Sequence, residues 1–230
     1  MKILLSWSSG KDSAWALHLL NRQHPGAVGA LLTTMNGGVD RVAMHGVRRD
    51  VLEAQARAAG LPLWTIPLPD PCANADYEAL MRDAVQRAVA AGFTHVAFGD
   101  LFLRDVRQYR EERLAGTGLE PLFPLWDLPT THLAIEMMSG GLRARLACVD
   151  TRVLPASFVG REFEPALLAD LPPGVDPCGE KGEFHTCVYA GPMFTGRLAL
   201  AAGHTVHHDP FAWIELLCHD TPPSDSAHST

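Results

Sequence analysis

The stretch Ser6–Ser13, with the sequence S-W-S-S-G-K-D-S, joins an apolar run at residues 2–5 to a helical pattern at residues 14–20. A buried strand that turns through small residues into a helix presents unpaired backbone N–H groups and the positive end of the helix dipole, which together bind anions. The serines and Lys11 add hydroxyl donors and a cation. The Walker A pattern G-x-x-x-x-G-K-[ST] is absent. We therefore predict a phosphate site of another kind at residues 6–13, the phosphate loop; the alternative is a Ser/Gly turn that only caps the helix.

The composition limits the class of protein. The chain has 230 residues, of which 47% are hydrophobic, enough for one large domain or two small ones. No apolar run reaches the roughly 18–20 residues of a membrane span, and no signal-peptide pattern is evident, so no membrane partner is expected. Five cysteines without a C-x-x-C pair predict reduced thiols in a cytoplasmic protein. The net charge of −7 argues against a nucleic-acid partner, because such proteins usually carry a basic surface.

Strand-like and helical stretches alternate through the first half of the chain. Strands are predicted at Lys2–Ser6, Ala27–Thr33, Pro62–Ile66 and His95–Phe98, and helices at Ser13–Arg22, Val47–Ala59 and Asn74–Ala91. Such alternation predicts an α/β fold with a Rossmann-like, doubly wound parallel sheet. Right-handed crossovers would bring the carboxyl ends of its strands to one edge.

The pattern changes after about residue 125. Helices are predicted at Thr130–Ser139 and Glu162–Ala169, and strands at Leu142–Val149, Thr186–Tyr189 and Ala212–Cys218. We therefore predict a nucleotide-binding domain at residues 1–127 and a smaller α+β substrate lobe at 128–220. A tail at 221–230, rich in Pro, Ser, Asp and His, is predicted to be disordered.

A carboxylate follows the fourth predicted strand, in the pair Gly99-Asp100. Asp100 would face the same sheet edge as the phosphate loop, where it can hold Mg²⁺ or orient a substrate; the alternative is a helix N-cap. Arg107 and Glu111 are four residues apart and would share one face of a helix, as ligand-binding residues or as an ordinary surface ion pair.

A second dense motif, D-P-C-G-E-K-G-E-F-H-T, occupies residues 176–186. Its glycines permit positive φ angles and a close backbone approach. Glu180, Glu183 and His185 can supply acid–base groups or orient an amine nucleophile. Metal ligation by the same three residues and a plain polar hairpin loop are the alternatives.

Taken together, these motifs resemble the diphthine–ammonia ligase family of PP-loop ATP pyrophosphatases over roughly residues 2–195. The phosphate loop is similar to the S-G-G-x-D-S loop of that superfamily, with Ser9 in place of the first glycine. The other matching pieces are Met44-His45, Gln55-Ala56 leading to Gly60-Leu61-Pro62-Leu63, Gly99-Asp100 with Arg107 and Glu111, Pro124-Leu125-Trp126, Gly179–Thr186 and Gly191-Pro192-Met193-Phe194.

The resemblance implies ATP-dependent amide formation with ATP and Mg²⁺ as cofactors. A carboxylate is adenylated, pyrophosphate leaves, and ammonia displaces AMP. The implied acceptor is diphthine on elongation factor 2 if the source is an archaeon or a eukaryote, and another carboxylate if it is a bacterium. A PP-loop ATPase of tRNA or small-molecule modification and a non-catalytic adenine-nucleotide-binding protein are the alternative functions. Assembly as a homodimer is left open.

The resemblance and the motifs assign the site residues in four groups. The catalytic group is Lys11, Asp12, Asp100, Glu183 and His185. The nucleotide-binding group is Ser6, Ser8, Ser9, Gly10, Lys11, Asp12, Ser13, Thr33, His45 and Gly99. The acceptor-binding group is Arg107, Glu111, Gly179, Glu180, Gly182, Glu183, His185 and Thr186. The Mg²⁺ ligands are Asp12 and Asp100. Residues 179–186 are expected to serve the acceptor; the alternative is that they close over the nucleotide.

Overall fold

The N-terminal half has the alternation of strands and helices that the sequence predicts. The computed structural model describes residues 1–43 and 46–218. The elements of this half are β1 (Ile3–Ser6), α1 (Lys11–Gln23), β2 (Val28–Asn36), β3 (Arg41–Val42), α2 (Arg49–Ala59), β4 (Leu63–Leu68), α3 (Asn74–Ala90), β5 (His95–Ala97), α4 (Arg104–Leu114) and β6 (Glu120–Leu122). All four predicted strands and all three predicted helices are present, which confirms the α/β, Rossmann-like fold class.

The sheet of this half is parallel apart from one short strand. Its order is β4-β2-β1-β5-β6, and β3 pairs antiparallel with the end of β2. Strands β2 and β5 lie on opposite sides of β1, so the chain adds strands first on one side of β1 and then on the other. Ligands of such folds bind in the crevice that opens at this switch point, beyond the carboxyl ends of the strands. The phosphate loop follows β1 directly, and Gly99-Asp100 comes two residues after the end of β5.

Local sequence explains how α2 packs and where it ends. Its buried side chains include Val51, Leu52 and Ala54, so one face of the helix packs on the core. Gly60 follows in the left-handed conformation at φ 67°, and its N–H caps the carbonyl of Ala56. Glycine suits this position because it has no Cβ to clash in that conformation.

The second half of the chain forms an antiparallel sheet. Its elements are α5 (Thr130–Ser139), β7 (Arg143–Asp150), a 3₁₀ turn (Ala156–Phe158), α6 (Pro165–Asp170), β8 (Phe184–Ala190), β9 (Leu200–His208) and β10 (Phe211–Cys218). The strand order is β8-β7-β10-β9. Strand β9 was not predicted, because nearly all of its residues are exposed and its sequence lacks a clear apolar alternation. The predicted tail at 221–230 lies outside the described residues.

One hydrophobic core runs through both sheets. Buried side chains such as Leu5 of β1, Leu17 of α1, Leu146 of β7 and Val188 of β8 belong to the same cluster. The division into a domain at 1–127 and a lobe at 128–220 therefore stays a prediction. No helix within residues 1–43 and 46–218 is long and apolar enough to cross a membrane.

Gln55 of α2 connects the two halves inside this core. It is fully buried, and its side-chain oxygen accepts a hydrogen bond from the Trp7 indole at 3.0 Å. Its amide nitrogen donates to the carbonyl of Ser9 at 3.1 Å and to the carbonyl of Val188 at 2.7 Å. A buried polar group of this kind is retained in the core because its hydrogen bonds are satisfied.

We expect Gln55→Leu to lower the free energy of unfolding by about 2–4 kcal/mol, because the Trp7 indole N–H loses its partner in a buried position. Urea denaturation followed by tryptophan fluorescence measures the change. Glu53→Gln on the exposed face of the same helix is the matched control and should stay within about 0.5 kcal/mol of wild type. Equal stabilities of Gln55→Leu and wild type would contradict this account of the core.

Candidate functional site

A polar cleft of about 190 Å³ opens at the switch point, where the phosphate loop meets the turn after β5. Eleven of the predicted site residues line it: Ser6, Ser8, Lys11, Asp12, Ser13, Gly99, Asp100, Gly179, Glu180, His185 and Thr186. Arg110 and Phe184 line it as well, and neither was predicted. The structure therefore brings the phosphate loop and the 176–186 loop together in one site, although about 170 residues separate them in the sequence.

A larger and mostly apolar cavity of about 430 Å³ adjoins the cleft. Strands of the parallel sheet and helix α3 form its walls, with Phe98 and Tyr77 among the aromatic residues and the predicted Thr33 among the polar ones. Four residues line both spaces: Ser6, Ser8, Arg110 and His185. The site thus has an apolar chamber and a polar cleft that meet at these four side chains.

The phosphate loop turns at Ser9, which has a left-handed backbone with φ 67°. This is the position where the resemblance led us to expect glycine. The carbonyl of Ser9 accepts hydrogen bonds from the N–H of Val188 at 3.0 Å and from Gln55. Its hydroxyl is buried and has no hydrogen-bond partner in the described part of the chain. Ser9 thus shapes the loop through its backbone and does not line the cleft.

Lys11 is almost completely buried, with 3% of its side chain exposed. Its ammonium donates to the carbonyl of Cys178 and, at 2.9 Å, to Oδ2 of Asp12. The rings of Phe163 and Phe184 lie 5.7 and 5.5 Å from it. Burial acts to lower the pKa of Lys11, but the neighbouring carboxylates outweigh it, so the pKa is raised and the ammonium stays charged. The structure thus uses this cation to hold the 176–186 loop against the phosphate loop.

Thr186 makes a second contact between the two loops. Its hydroxyl accepts a hydrogen bond of 3.0 Å from the backbone N–H of Lys11, at the start of α1. Thr186 is buried, and its own strand β8 continues to Val188, which binds Ser9. The expectation that residues 179–186 serve only the acceptor stays a prediction, and their contact with the phosphate loop favours a share in nucleotide binding.

Glu180 extends from the 176–186 loop to the turn after β5. Its Oε1 accepts a hydrogen bond of 2.8 Å from the N–H of Leu101. Burial raises the pKa of Glu180 to about 7, and the nearby carboxylates of Asp12 and Asp100 act in the same direction. A carboxyl group that titrates near neutral pH in a cleft is suited to accept and return a proton.

Glu183, three residues later, is in a different environment. Its carboxylate accepts hydrogen bonds from the N–H groups of Asp176, at 3.1 Å, and Lys181, at 2.9 Å. It is 6% exposed and does not line the cleft. Glu183 therefore stabilises the 176–186 loop from within. Its predicted catalytic role has no support from its location.

His185 lies where the chamber and the cleft meet. Burial and the positive charge of Lys11 lower the pKa of His185 to about 4. The imidazole is therefore neutral at physiological pH. A neutral imidazole can accept or donate a hydrogen bond to a ligand without adding charge.

Asp100 and Arg110 form an ion pair in the cleft. The guanidinium of Arg110, on α4, donates two hydrogen bonds to the Asp100 carboxylate, at 2.5 and 3.1 Å. Gly99 precedes Asp100 and packs tightly against α1, since an added Cβ would lie 2.9 Å from the backbone of Asp12. This contact is a packing reason for the predicted glycine.

Arg107 and Glu111 lie on the same helix but do not line the cleft or the chamber. They form an exposed ion pair of 2.7 Å, and the Arg107 guanidinium lies 4.7 Å from the ring centroids of Phe123 and Trp126. Gly10 and Gly182 also lie outside the lining of both spaces, and His45 falls outside the described residues. The predicted acceptor role of Arg107 and Glu111 gains no support from their position.

One carboxylate of the cleft, that of Asp12, fits Mg²⁺. Oδ1 of Asp12 is buried and has no hydrogen-bond partner within residues 1–43 and 46–218, so it can take a cation. No three His, Cys, Asp or Glu side chains of the same residues cluster as a self-contained metal site. Mg²⁺ commonly binds through one or two carboxylates together with phosphate oxygens of the substrate, so Asp12 fits such a role.

Comparison with known proteins agrees with this arrangement. The model of the diphthamide synthase N-terminal domain matches residues 1–112, and the model of the C-terminal domain matches residues 130–216. The chain belongs to the diphthamide synthase family. The first match contains the phosphate loop and Asp100, and the second contains the whole 176–186 loop. The two matches therefore include both sides of the cleft.

The relatives of this chain include proteins named diphthine–ammonia ligase. The protein of Schizosaccharomyces pombe is 28% identical over 226 residues, which are 90% of this chain and 37% of that protein. The proteins of Danio rerio and Bos taurus are 34% and 31% identical over 123 residues, half of this chain and 48% and 46% of their own lengths. The chain thus spans less than half the length of each of these relatives.

We expect Ser9→Gly to raise the free energy of unfolding by about 1 kcal/mol, because glycine adopts a positive φ without strain and the substitution removes a buried, unpaired hydroxyl. Asp127→Gly is the matched control, since Asp127 also has a positive φ, of 61°, but is exposed. Thermal and urea unfolding of both variants separate the backbone effect from the hydroxyl effect. A loss of stability in Ser9→Gly would show that the hydroxyl has a partner of its own.

Proposed function

We propose that this protein is an AMP-forming ligase that uses ATP to join ammonia to a carboxylate. The single observation that supports the proposal is the meeting of an apolar chamber and a polar cleft at the phosphate loop. The chamber, of about 430 Å³, suits a nucleoside, and the cleft, with the loop N–H groups at the start of α1, suits its phosphates. The family membership and the names of the relatives agree with it.

The proposed reaction has two steps. In the first, an oxygen of the acceptor carboxylate forms a bond to the α-phosphorus of ATP. The bond from that phosphorus to the bridging oxygen breaks, and pyrophosphate leaves with the electron pair. In the second step, the nitrogen of ammonia bonds to the acyl carbon and releases one proton to solvent. The bond from this carbon to the phosphate oxygen breaks, and AMP leaves with the electron pair as the amide forms.

The residues of the cleft have separate tasks in this scheme. Glu180, whose pKa is about 7, takes the proton that ammonium must lose before its nitrogen can attack. His185 is neutral, so its imidazole provides a hydrogen-bonding group beside the acyl-adenylate without adding a positive charge to the site. Lys11 is a positioning residue, because its ammonium holds the two loops together.

A divalent cation fits the charge of the site. Among the described residues that line the cleft, Lys11 and Arg110 are the cations, and each is already paired with a carboxylate. Asp12 would hold Mg²⁺ through its unpartnered oxygen, and Asp100 is the second predicted ligand. When bound, the ion neutralises charge on the phosphates.

The relatives' names point to diphthine as the acceptor, a modified histidine of elongation factor 2. This acceptor requires an archaeal or eukaryotic source, and in a bacterium the ligase would act on another carboxylate.

The reaction class has a direct test. We expect incubation with ATP, Mg²⁺, ammonium and a diphthine-bearing elongation factor 2 to yield AMP and pyrophosphate in equal amounts with the amide product. Ion-exchange chromatography resolves the nucleotides, and mass spectrometry of the factor detects replacement of a hydroxyl by an amino group. ADP and orthophosphate as the products would contradict the proposal.

Glu180→Gln tests the proton acceptor. We expect the wild-type kcat at saturating ammonium to rise with pH through about 7, because only ionised Glu180 accepts a proton. The variant should keep ATP affinity within about threefold and lose about 10²–10⁴-fold in kcat together with this pH dependence. Glu112→Gln on the exposed part of α4 is the control and should behave as wild type. An unchanged pH profile in Glu180→Gln would assign the proton to another group.

A further inference from the structure

Arg110 has a position that no sequence motif indicated. It is one of four side chains that line both the apolar chamber and the polar cleft. Its guanidinium lies 4.3 Å from the ring centroid of Phe98 on the chamber side and is bound to Asp100 on the cleft side. With 28% of its side chain exposed, it remains open to a ligand.

The place where the chamber and the cleft meet, here called the junction, corresponds to one part of a bound nucleotide. In a nucleotide whose nucleoside fills the chamber and whose outer phosphates fill the cleft, the α-phosphate lies at the junction. The other three residues of the junction, Ser6, Ser8 and His185, offer neutral groups. Within residues 1–43 and 46–218, the positive charge at the junction therefore comes from Arg110.

We infer that Arg110 binds the α-phosphate of the nucleotide and is a catalytic residue for the transfer of the adenylyl group. This inference rests on the proposed function. The guanidinium offers five N–H donors in a planar fork, so it can keep a bond to Asp100 while another N–H group faces a phosphate oxygen. Asp100 is then a positioning residue that fixes the fork at the junction. Charge that develops on the α-phosphate oxygens during nucleophilic attack is stabilised by such a preorganised donor.

Arg113 provides a matched control on the same helix. It is an arginine paired with its own carboxylate, Glu78, at 2.6 Å, and it lines neither space. Arg110 and Arg113 therefore share the residue type, the helix and an acidic partner. They differ in their access to the junction.

The test compares the binding of AMP and of adenosine by isothermal titration calorimetry to the full chain. These two probes differ by the α-phosphate alone. We expect wild type to bind AMP more tightly than adenosine, and Arg110→Ala to weaken AMP at least tenfold while adenosine stays within about twofold. Arg110→Lys should recover part of the loss, and Arg113→Ala should bind both probes as wild type does. Equal losses for AMP and adenosine in Arg110→Ala would overturn the inference, as would unchanged binding of both or no binding of either to wild type.

A double variant, Arg110→Ala with Asp100→Ala, tests whether the loss in the single variant comes from the carboxylate of Asp100 repelling the phosphate. It removes the carboxylate that the single variant leaves unpaired, and circular dichroism checks its fold. We expect it to show the same loss of preference for AMP; a recovered preference would overturn the inference. Binding is measured without turnover, so the two proposals fail separately. Wild type that prefers AMP through Arg110 but releases no pyrophosphate would contradict the ligase reaction and the catalytic role of Arg110, while its contact with the α-phosphate would stand.

Discussion

Two hydrogen bonds between the phosphate loop and strand β8 set the shape of the site. The N–H of Val188 donates to the carbonyl of Ser9, and the N–H of Lys11 donates to the hydroxyl of Thr186. A tight left-handed turn at a non-glycine residue is costly by itself and persists where surrounding contacts fix it. The second half of the chain therefore determines the conformation of the loop in the first half. Neither half contains a complete site.

The charges of the cleft are almost balanced in pairs. Lys11 faces Asp12, and Arg110 faces Asp100, while Glu180 lies close to both acidic groups. Buried ion pairs gain little net stability, because removal of both charges from water offsets their attraction. Their value here is geometric: each pair fixes a donor or an acceptor at a defined point of the cleft. The raised pKa of Glu180 follows first from its burial, and the nearby carboxylates of the cleft act in the same direction.

The fold could be predicted from the sequence because its signals are local. Apolar strands and a left-handed glycine after α2 each determine their own structure. The location of the cleft at the carboxyl edge of the sheet followed from topology alone. Strand β9 escaped prediction because its residues are exposed and its pairing with β10 is not encoded by an apolar pattern.

The roles within the site were harder to predict, because they depend on contacts between distant residues. Sequence spacing could not distinguish Glu180, which faces the cleft, from Glu183, which binds the backbone of its own loop. Arg110 was one arginine among several on α4, and its neighbour Arg107 was assigned to the site by resemblance. Only the packing of α4 against the sheet shows which of the two reaches the junction.

The burial of Lys11 has a consequence for chemical labelling. Nucleotide sites are often mapped with reagents that acylate a nearby amine, and such reagents need an unprotonated, accessible nitrogen. The Lys11 ammonium stays charged and is enclosed by a carbonyl, a carboxylate and two phenyl rings. Of the three lysines in the chain, Lys2 and Lys181 are exposed. An amine-directed probe would therefore mark Lys2 and Lys181, the second of which lies on the 176–186 loop, and pass over the lysine of the phosphate loop itself.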